Sequence, residues 1–479
     1  MFGLLASVYP YALVSGWLFF SGWASGHAIL SKRDSRAAVS WTGLIWLVPY
    51  LGAVFYFLLG INRVQRRANR LRSRTTRHGR SKRGGHPVES ALAPELPAEA
   101  AQLAALVELV TLRPLLGRNC IEPLENGDEA YPAMLESIAS AERSVWLLSY
   151  IFDDSPVARS FVSALGQAKA RGVEVRVLID DAGSLDTNID SLFEAVGVAV
   201  ERFLPARLSR RLAHFNLRNH RKLLIIDGAT GFTGGINVHE GHLLSSKPRW
   251  PVRDVHFRLE GPIVAQLVEV FADDWEFTTG EALIGERAMA LASPAGEVAA
   301  RGIPDGPDDG HHGGVRLTLL GALSCARRSV TIVTPYFLPD QAVISAIVVA
   351  GLRGVSIDIV LPRRSDVRIV DFATRAQLWQ VQSPGIRVWM SPEPFDHSKL
   401  MVMDDYWSFI GSANWDARSF RLNFEFNVEC YERKLAARLV QIAKQRIAES
   451  HQVTLAELDA RPLGERLRDG LCRLMTPYL

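Results

Sequence analysis

The sequence predicts an α/β protein of two similar lobes related by a pseudo-twofold axis, each a mixed sheet flanked by helices, preceded by two N-terminal transmembrane helices. Three observations predict it: an internal repeat of strand and helix segments, a polar motif that returns in both copies, and two long stretches near the start of the chain without a charged side chain. With 479 residues and 48% hydrophobic content, the chain is long enough to bury more than one core.

The expected order begins with a membrane region over residues 1–62. Met1 to Ser31 and Ala37 to Asn62 carry no charge, and each exceeds the roughly 20 apolar residues that cross a bilayer. The first lacks the basic start of a cleavable signal and the second follows it directly, which favours two retained spans. Lys32, Arg33, Asp34 and Arg36 make the hairpin between them. After them, Arg63 to Arg83 holds ten Lys or Arg and no acid. The net charge of +3 therefore hides a local basic tract and an acidic remainder. The positive-inside bias places everything after Asn62 in the cytoplasm of a multi-pass protein. Residues 63–95 read as a disordered linker, attracted to anionic membrane lipids or serving only as a topology signal. A tract without interleaved aromatics beside a membrane does not point to nucleic acid. Cys120, Cys325, Cys430 and Cys472 are scattered without a CxxC pair, so neither a disulfide framework nor a zinc knuckle is suggested.

The first lobe is expected over 96–300 and the second over 301–479. Glu129 to Ala141 reads as a helix, Ser144 to Phe152 as an apolar strand, Val157 to Ala170 as an amphipathic helix and Val173 to Asp180 as a buried strand, which together make a βαβ unit. ERSVWLLSYIFDD at Glu142 to Asp154 is repeated as RRSVTIVTPYFLPD at Arg327 to Asp340, and ARGVEVRVLID at Ala170 to Asp180 as LRGVSIDIVLP at Leu352 to Pro362. Between the lobes, PDGPDDGHHGG at Pro304 to Gly314 has the composition of a surface connection. His311 and His312 within it, like His239 and His242 of HEGH, are read as solvated rather than metal-binding. Lys434 to Glu449 reads as a helix. Leu463, Leu467, Leu471 and Leu474 then recur at helical spacing beside Arg466, Arg468 and Arg473. A helix packed on the catalytic body is expected there, with an interfacial membrane helix as the alternative.

The motif HxKxxxxD occurs as His220, Lys222 and Asp227 and again as His397, Lys399 and Asp404. Each copy is followed by a G[GS]xN turn: Gly234, Gly235 and Asn237, then Gly411, Ser412 and Asn414. In an extended segment, residues two apart project from one face, so each histidine and its lysine share a small volume. Paired about a twofold axis, the lobes bring both sets to one cleft. Two imidazoles and two ammonium groups with no evident metal set suit covalent catalysis at phosphorus. One neutral imidazole attacks a phosphodiester, and the other, protonated, donates to the departing alkoxide. Lys222 and Lys399, with Asn237, Asn414 and Ser412 as substrate-binding candidates, hold the non-bridging oxygens. A histidine in either role needs a carboxylate to fix its tautomer. Asp254 and Glu425, 34 and 28 residues after their histidines, are the candidates. Asp227 and Asp404 complete the candidate catalytic set by position in the motif, though beyond an apolar run they suit turn stabilisation better than chemistry.

At these residues the chain resembles the phospholipase D superfamily, whose signature is the duplicated HxKxxxxD with its following turn. Within it the chain is similar to the bacterial cardiolipin synthases, through RNHRKLLIIDG, WPVRDVHFRLEGP with Asp274 and Trp275, TPYFLPD, and GSANWDARSFRLNFEFN. The resemblance implies two phospholipase D-like lobes at the bacterial inner membrane. It implies transfer of a phosphatidyl group from one phosphatidylglycerol to a second, giving cardiolipin and glycerol without cofactor or metal. It also implies that the first-lobe histidine is the nucleophile, a choice that spacing does not make. A hydrolytic phospholipase D, a nuclease of the superfamily and a lipid-binding scaffold are the other readings. INVHEGH replaces the short acidic-aromatic turn usual in the family, which bears on selectivity for the acceptor alcohol.

Overall fold

The computed structural model describes residues 2–32, 35–57, 96–184, 189–204, 217–283, 293–307 and 313–476. The basic tract and linker, His311 and His312 lie outside the described residues. The chain divides into two compact units, Met1–Arg67 and Ala68–Leu479.

In the N-terminal unit the first apolar stretch forms one helix, Phe2–Ser31. The second does not form the straight span expected. It breaks into helices Ser35–Leu47 and Leu51–Phe55. Pro49 interrupts the helical hydrogen bonds and Tyr50 takes a left-handed φ of 59°, so the chain turns back on itself. Trp46 packs on Trp17 and the Tyr50 hydroxyl donates to the Leu13 carbonyl, whereas Tyr56 returns to His27 and Trp41. Gly52 permits the reversal, since a Cβ there would lie 2.3 Å from the Leu44 carbonyl oxygen. Among the described residues no helix is long and apolar enough to cross a membrane.

Among the described residues, the larger unit is organised by one sheet of 15 strands. Its first half runs Val200–Phe203, Glu174–Asp180, Ser144–Ser149, Leu223–Ile226, Thr230–Gly234, Val255–Glu260, Leu116–Glu125. The second half, from its far edge, runs His451–Val453, Ile386–Ser391, Ser356–Pro362, Ser329–Val333, Leu400–Met403, Trp407–Gly411, Glu425–Tyr431, Val298–Asp305. In each half three parallel strands give way to antiparallel ones. Leu116–Glu125 and Val298–Asp305 pair antiparallel at the seam, so the two lobes share a continuous sheet.

The repeats explain this symmetry locally. Ser155 caps the crossover helix Pro156–Ala170 by accepting from the Ala158 N–H, and Asp340 caps its counterpart Gln341–Leu352 by accepting from Ala342 and Val343; each satisfies orphan donors of the first turn. Helix Ala98–Thr111, expected in the first lobe, instead buries Leu103 and Val107 in the second-lobe core with Val315, Leu319 and Leu323. Gly321 allows that approach, for a Cβ there would be 3.1 Å from Leu103.

A buried polar cluster ties the halves together beneath the first motif. The Arg221 guanidinium donates to Asp274 at 2.6 Å, to the Glu425 carbonyl at 3.0 Å and to the Asp305 carbonyl at 3.1 Å, while Asn219 donates to the other Asp274 oxygen at 2.9 Å. Arg221 and Asp274 are fully buried. Removing one partner of such a pair leaves an uncompensated charge in the core. Asp274→Ala is therefore expected to cost about 3–5 kcal/mol, measured as a fall in thermal midpoint and in denaturant stability.

Candidate active site

Each histidine sits just ahead of a short, wholly buried strand, Leu223–Ile226 or Leu400–Met403, which holds the motif in the core. At the far end of each strand is the motif aspartate. Asp227 accepts from the backbone N–H groups of Glu142, Arg143 and Ser144; Asp404 accepts from those of Arg327, Arg328 and Ser329. Both residues take left-handed φ values, 53° and 54°. Their place in the catalytic set is thereby corrected: they pin the turn after the motif strand to the start of the neighbouring strand, a strand length away from the imidazoles.

The histidines are positioned by bonds that cross between the halves. The His220 N–H donates to the Phe424 carbonyl at 2.9 Å, and the His397 N–H to the Arg253 carbonyl at 2.7 Å. The next residue after each acceptor is a carboxylate. Glu425 Oε2 therefore lies 3.1 Å from His220 Nδ1, and Asp254 Oδ2 lies 2.8 Å from His397 Nδ1. Each carboxylate serves the histidine of the opposite half, the reverse of the pairing by proximity in sequence. An ionised carboxylate only accepts, so Nδ1 carries the hydrogen in both rings and Nε2 is left bare.

The turn after each motif strand is shaped around these pairs. A Cβ on Gly235 would lie 2.4 Å from both Asp254 carboxylate oxygens, so only glycine fits there. Gly411 has a φ of 146°, and a Cβ on it would be 2.5 Å from the Asn427 Cα. Ser412, at the position equivalent to Gly235, was expected to bind substrate. Its hydroxyl instead donates to Glu425 Oε2 at 2.5 Å, and that corrects its role to holding the carboxylate. Asn423 donates to Glu425 Oε1 at 3.1 Å. Asn237 and Asn414 are both buried. The Asn237 side-chain oxygen accepts from the Ile151 N–H at 3.1 Å, and that of Asn414 has no protein partner among the described residues.

Burial sets the charge states. It pushes the His220 imidazole down to about 4 against the pull of Glu425. Burial, with Lys399, Lys222 and His220 nearby, holds His397 well below its ordinary value. Both rings are neutral near pH 7. Burial also lowers Lys222 to about 7 and Lys399 to about 8. Each ammonium donates to the carbonyl of its own histidine, and Lys222 stands 5.1 Å from the centre of the Tyr150 ring. Burial raises Asp254, whereas in Glu425 the His220, Lys222 and Ser412 contacts overcome burial and lower it. Tyr150 packs edge-on against His220 at 4.9 Å and accepts from Arg218 at 2.8 Å.

His242, read as solvated, is buried 6.3 Å from the His397 ring, and its Nε2 lies 3.4 Å from the Asn237 N–H. The sequence signal for it was its place in INVHEGH, directly after the first motif. Among the described residues no group of three or more His, Cys, Asp or Glu is placed to hold a metal ion.

Two buried histidines from duplicated halves of one sheet, each backed by the other half's carboxylate and each near both Lys222 and Lys399, define a phospholipase D-like site. The chain belongs to the PLD-like cardiolipin synthase family, whose domain model matches residues 134–275 and 319–447. A phospholipase D-nuclease N-terminal model matches residues 19–60. The chain is 33% identical over 469 residues to cardiolipin synthase A of Pseudomonas fluorescens, covering 96% of each protein. It is 29% identical over 455 residues to the cardiolipin synthase of Geobacillus thermodenitrificans, covering 94% of this chain and 90% of that one. Among solved structures, the phosphatidylserine synthase of Haemophilus influenzae shares the fold, with a TM-score of 0.61 at 13% identity, over 80% of this chain and 100% of that one.

The lysine values give a pH dependence. A lysine whose charge binds the phosphoryl group loses that function as pH rises through its folded value. The profile of kcat/KM, which reports the free enzyme, is expected to fall on its alkaline side near pH 7 to 8, the range of Lys222 and Lys399. An alkaline limb near 10 would contradict it.

Proposed function

We propose that the chain is a cardiolipin synthase that transfers a phosphatidyl group between two phosphatidylglycerol molecules through a phosphohistidine. The observation that carries this reading is the crossed pair of histidine–carboxylate contacts, which leaves two bare Nε2 atoms beside two lysines in one buried site.

His220 is the nucleophile in this reading. Glu425 accepts from His220, Ser412 and Asn423 and stays ionised, so it supports the positive charge that grows on the imidazole as Nε2 attacks. The Nε2–P bond forms and the bond from phosphorus to the glycerol oxygen breaks. His397, protonated when the anionic substrate is bound, gives its Nε2 proton to the departing glycerol. It then takes the proton from the hydroxyl of the second phosphatidylglycerol, whose oxygen attacks phosphorus and releases His220. Lys222, Lys399, Asn237 and Asn414 hold the non-bridging oxygens of the five-coordinate transition state. The phosphohistidine conserves the ester energy, so no nucleotide enters.

The apolar N-terminal unit holds the chain at the bacterial inner membrane as a multi-pass anchor, with the catalytic unit on the cytoplasmic side. The uncharged stretches 1–31 and 37–62 and the basic tract after them support this. Alkaline carbonate is expected to leave the full chain in the membrane pellet; recovery in the supernatant would refute anchoring.

Incubated with phosphatidylglycerol vesicles, the native chain is expected to release glycerol and form cardiolipin, read by mass spectrometry. Phosphatidic acid without glycerol would favour a hydrolase instead. His220→Ala and His397→Ala are each expected to lower turnover by at least about 1,000-fold, and ordinary activity in either variant would refute the mechanism.

A further inference from the structure

We propose that helix Leu463–Leu474 is a second membrane contact, separate from the N-terminal unit, which lays the catalytic unit against an anionic phospholipid bilayer. The inference deepens the functional reading, since it assumes that the substrate resides in a bilayer.

This helix is packed inside out. Its leucines recur on one face and point to solvent: Leu463, Leu467, Leu471 and Leu474 are 71%, 60%, 65% and 69% exposed. Its opposite face buries charge. Asp469 is fully buried and accepts from Arg461 at 2.7 Å and from Arg468 at 2.9 and 2.7 Å. Arg468 also stacks 3.9 Å over the Phe372 ring of helix Arg368–Arg375, and Arg473 donates to the Ala376 carbonyl at 3.3 Å. The Asp469 ion pairs brace the segment internally, and the helix docks on the catalytic body through the Arg468 cation–π contact, the Arg473 and Arg461 bonds to the Ala376 and Arg375 carbonyls, and Cys472 beside Val370 and Ala373, leaving its apolar stripe in water. An ordinary surface helix packs the other way.

Two features select a bilayer as the occupant. The first is charge: Arg368 and Arg466 are exposed on the two packed helices, placed as cations are on interfacial helices that meet anionic headgroups. The second is continuity with the site. Val367 and Ile369, at the start of the partner helix, are also exposed. Val367 adjoins Asp366, which accepts from the Tyr336 hydroxyl. The Tyr336 ring is 6.3 Å from Phe395, and Phe395 is 5.8 Å from His397. A chain of neighbouring side chains therefore leads from the exposed start of the partner helix to the reacting imidazole, as suits a substrate whose acyl chains stay in the membrane while its phosphate is handled.

The test uses the full chain reconstituted in vesicles of phosphatidylglycerol and phosphatidylcholine. A nitroxide on Leu467→Cys, in a Cys120→Ser, Cys325→Ser, Cys472→Ser background, is expected to be reached by oxygen in preference to a water-soluble nickel chelate. Lys444→Cys, on an exposed helix face, is the aqueous control. In the kinetic arm, Leu467→Glu combined with Leu471→Glu is expected to raise KM for vesicle phosphatidylglycerol about 10-fold, on the apolar burial lost. Turnover of a short-chain phosphatidylglycerol dissolved as monomers should stay within about twofold, because that substrate needs no surface. A label as open to nickel as the control overturns the proposal. So does a double variant with unchanged vesicle kinetics whose only effect is to turn a dimer into a monomer, which assigns the face to a second copy. A lipid-buried label on a chain without transferase activity supports the membrane contact and refutes the functional reading alone.

Discussion

The site depends on one arrangement made twice: the backbone N–H of a histidine in one half donates to a carbonyl in the other, and the next residue after that carbonyl supplies the carboxylate. Because the carboxylate's backbone is fixed by that bond, it reaches Nδ1 without a long search over rotamers. The tautomer, and with it the bare Nε2, is thus set by main-chain geometry. Neither half contains a complete histidine–carboxylate pair. Catalytic competence is therefore a property of the joined sheet, and anything that shifts the halves relative to each other disturbs both imidazoles at once.

The same cleft holds charges that water would otherwise solvate. Lys222, Lys399, Asp254 and Glu425 are all buried, and burial weakens the charged form of each lysine. Such groups are tolerated because opposite charges and hydrogen bonds surround them. The surrounding fold supplies stiffness. Arg221 binds Asp274 in its own half and two carbonyls of the other, immediately beside His220.

Much of this was legible in the sequence, for physical reasons that also mark its limits. The repeats at Ser144 and Ser329 and the apolar runs after each lysine revealed two equivalent βαβ units, because local periodicity reports local structure. The His and Lys positions were readable from their spacing and recurrence. The crossing of Asp254 and Glu425 was not, since distance along the chain carries no information about which half a carboxylate faces. Ser412 looked like a substrate ligand because it occupies the motif turn, yet its neighbour in space is Glu425. The leucines of the C-terminal helix have the spacing of a core-facing stripe. Only Asp469, seen in three dimensions with Arg461 and Arg468, reveals that the charged side is the one packed. Likewise the uncharged run 37–62 gave no sign beyond Pro49 that the chain doubles back.

The seam between Leu116–Glu125 and Val298–Asp305 has a consequence for traffic through the cleft. A clamshell enzyme parts its jaws about a hinge, but here the jaws are hydrogen-bonded to each other along adjacent strands, which opposes such parting. In the proposed reaction the departing alcohol and the incoming one would then have to pass the side chains around the histidines without the lobes swinging apart.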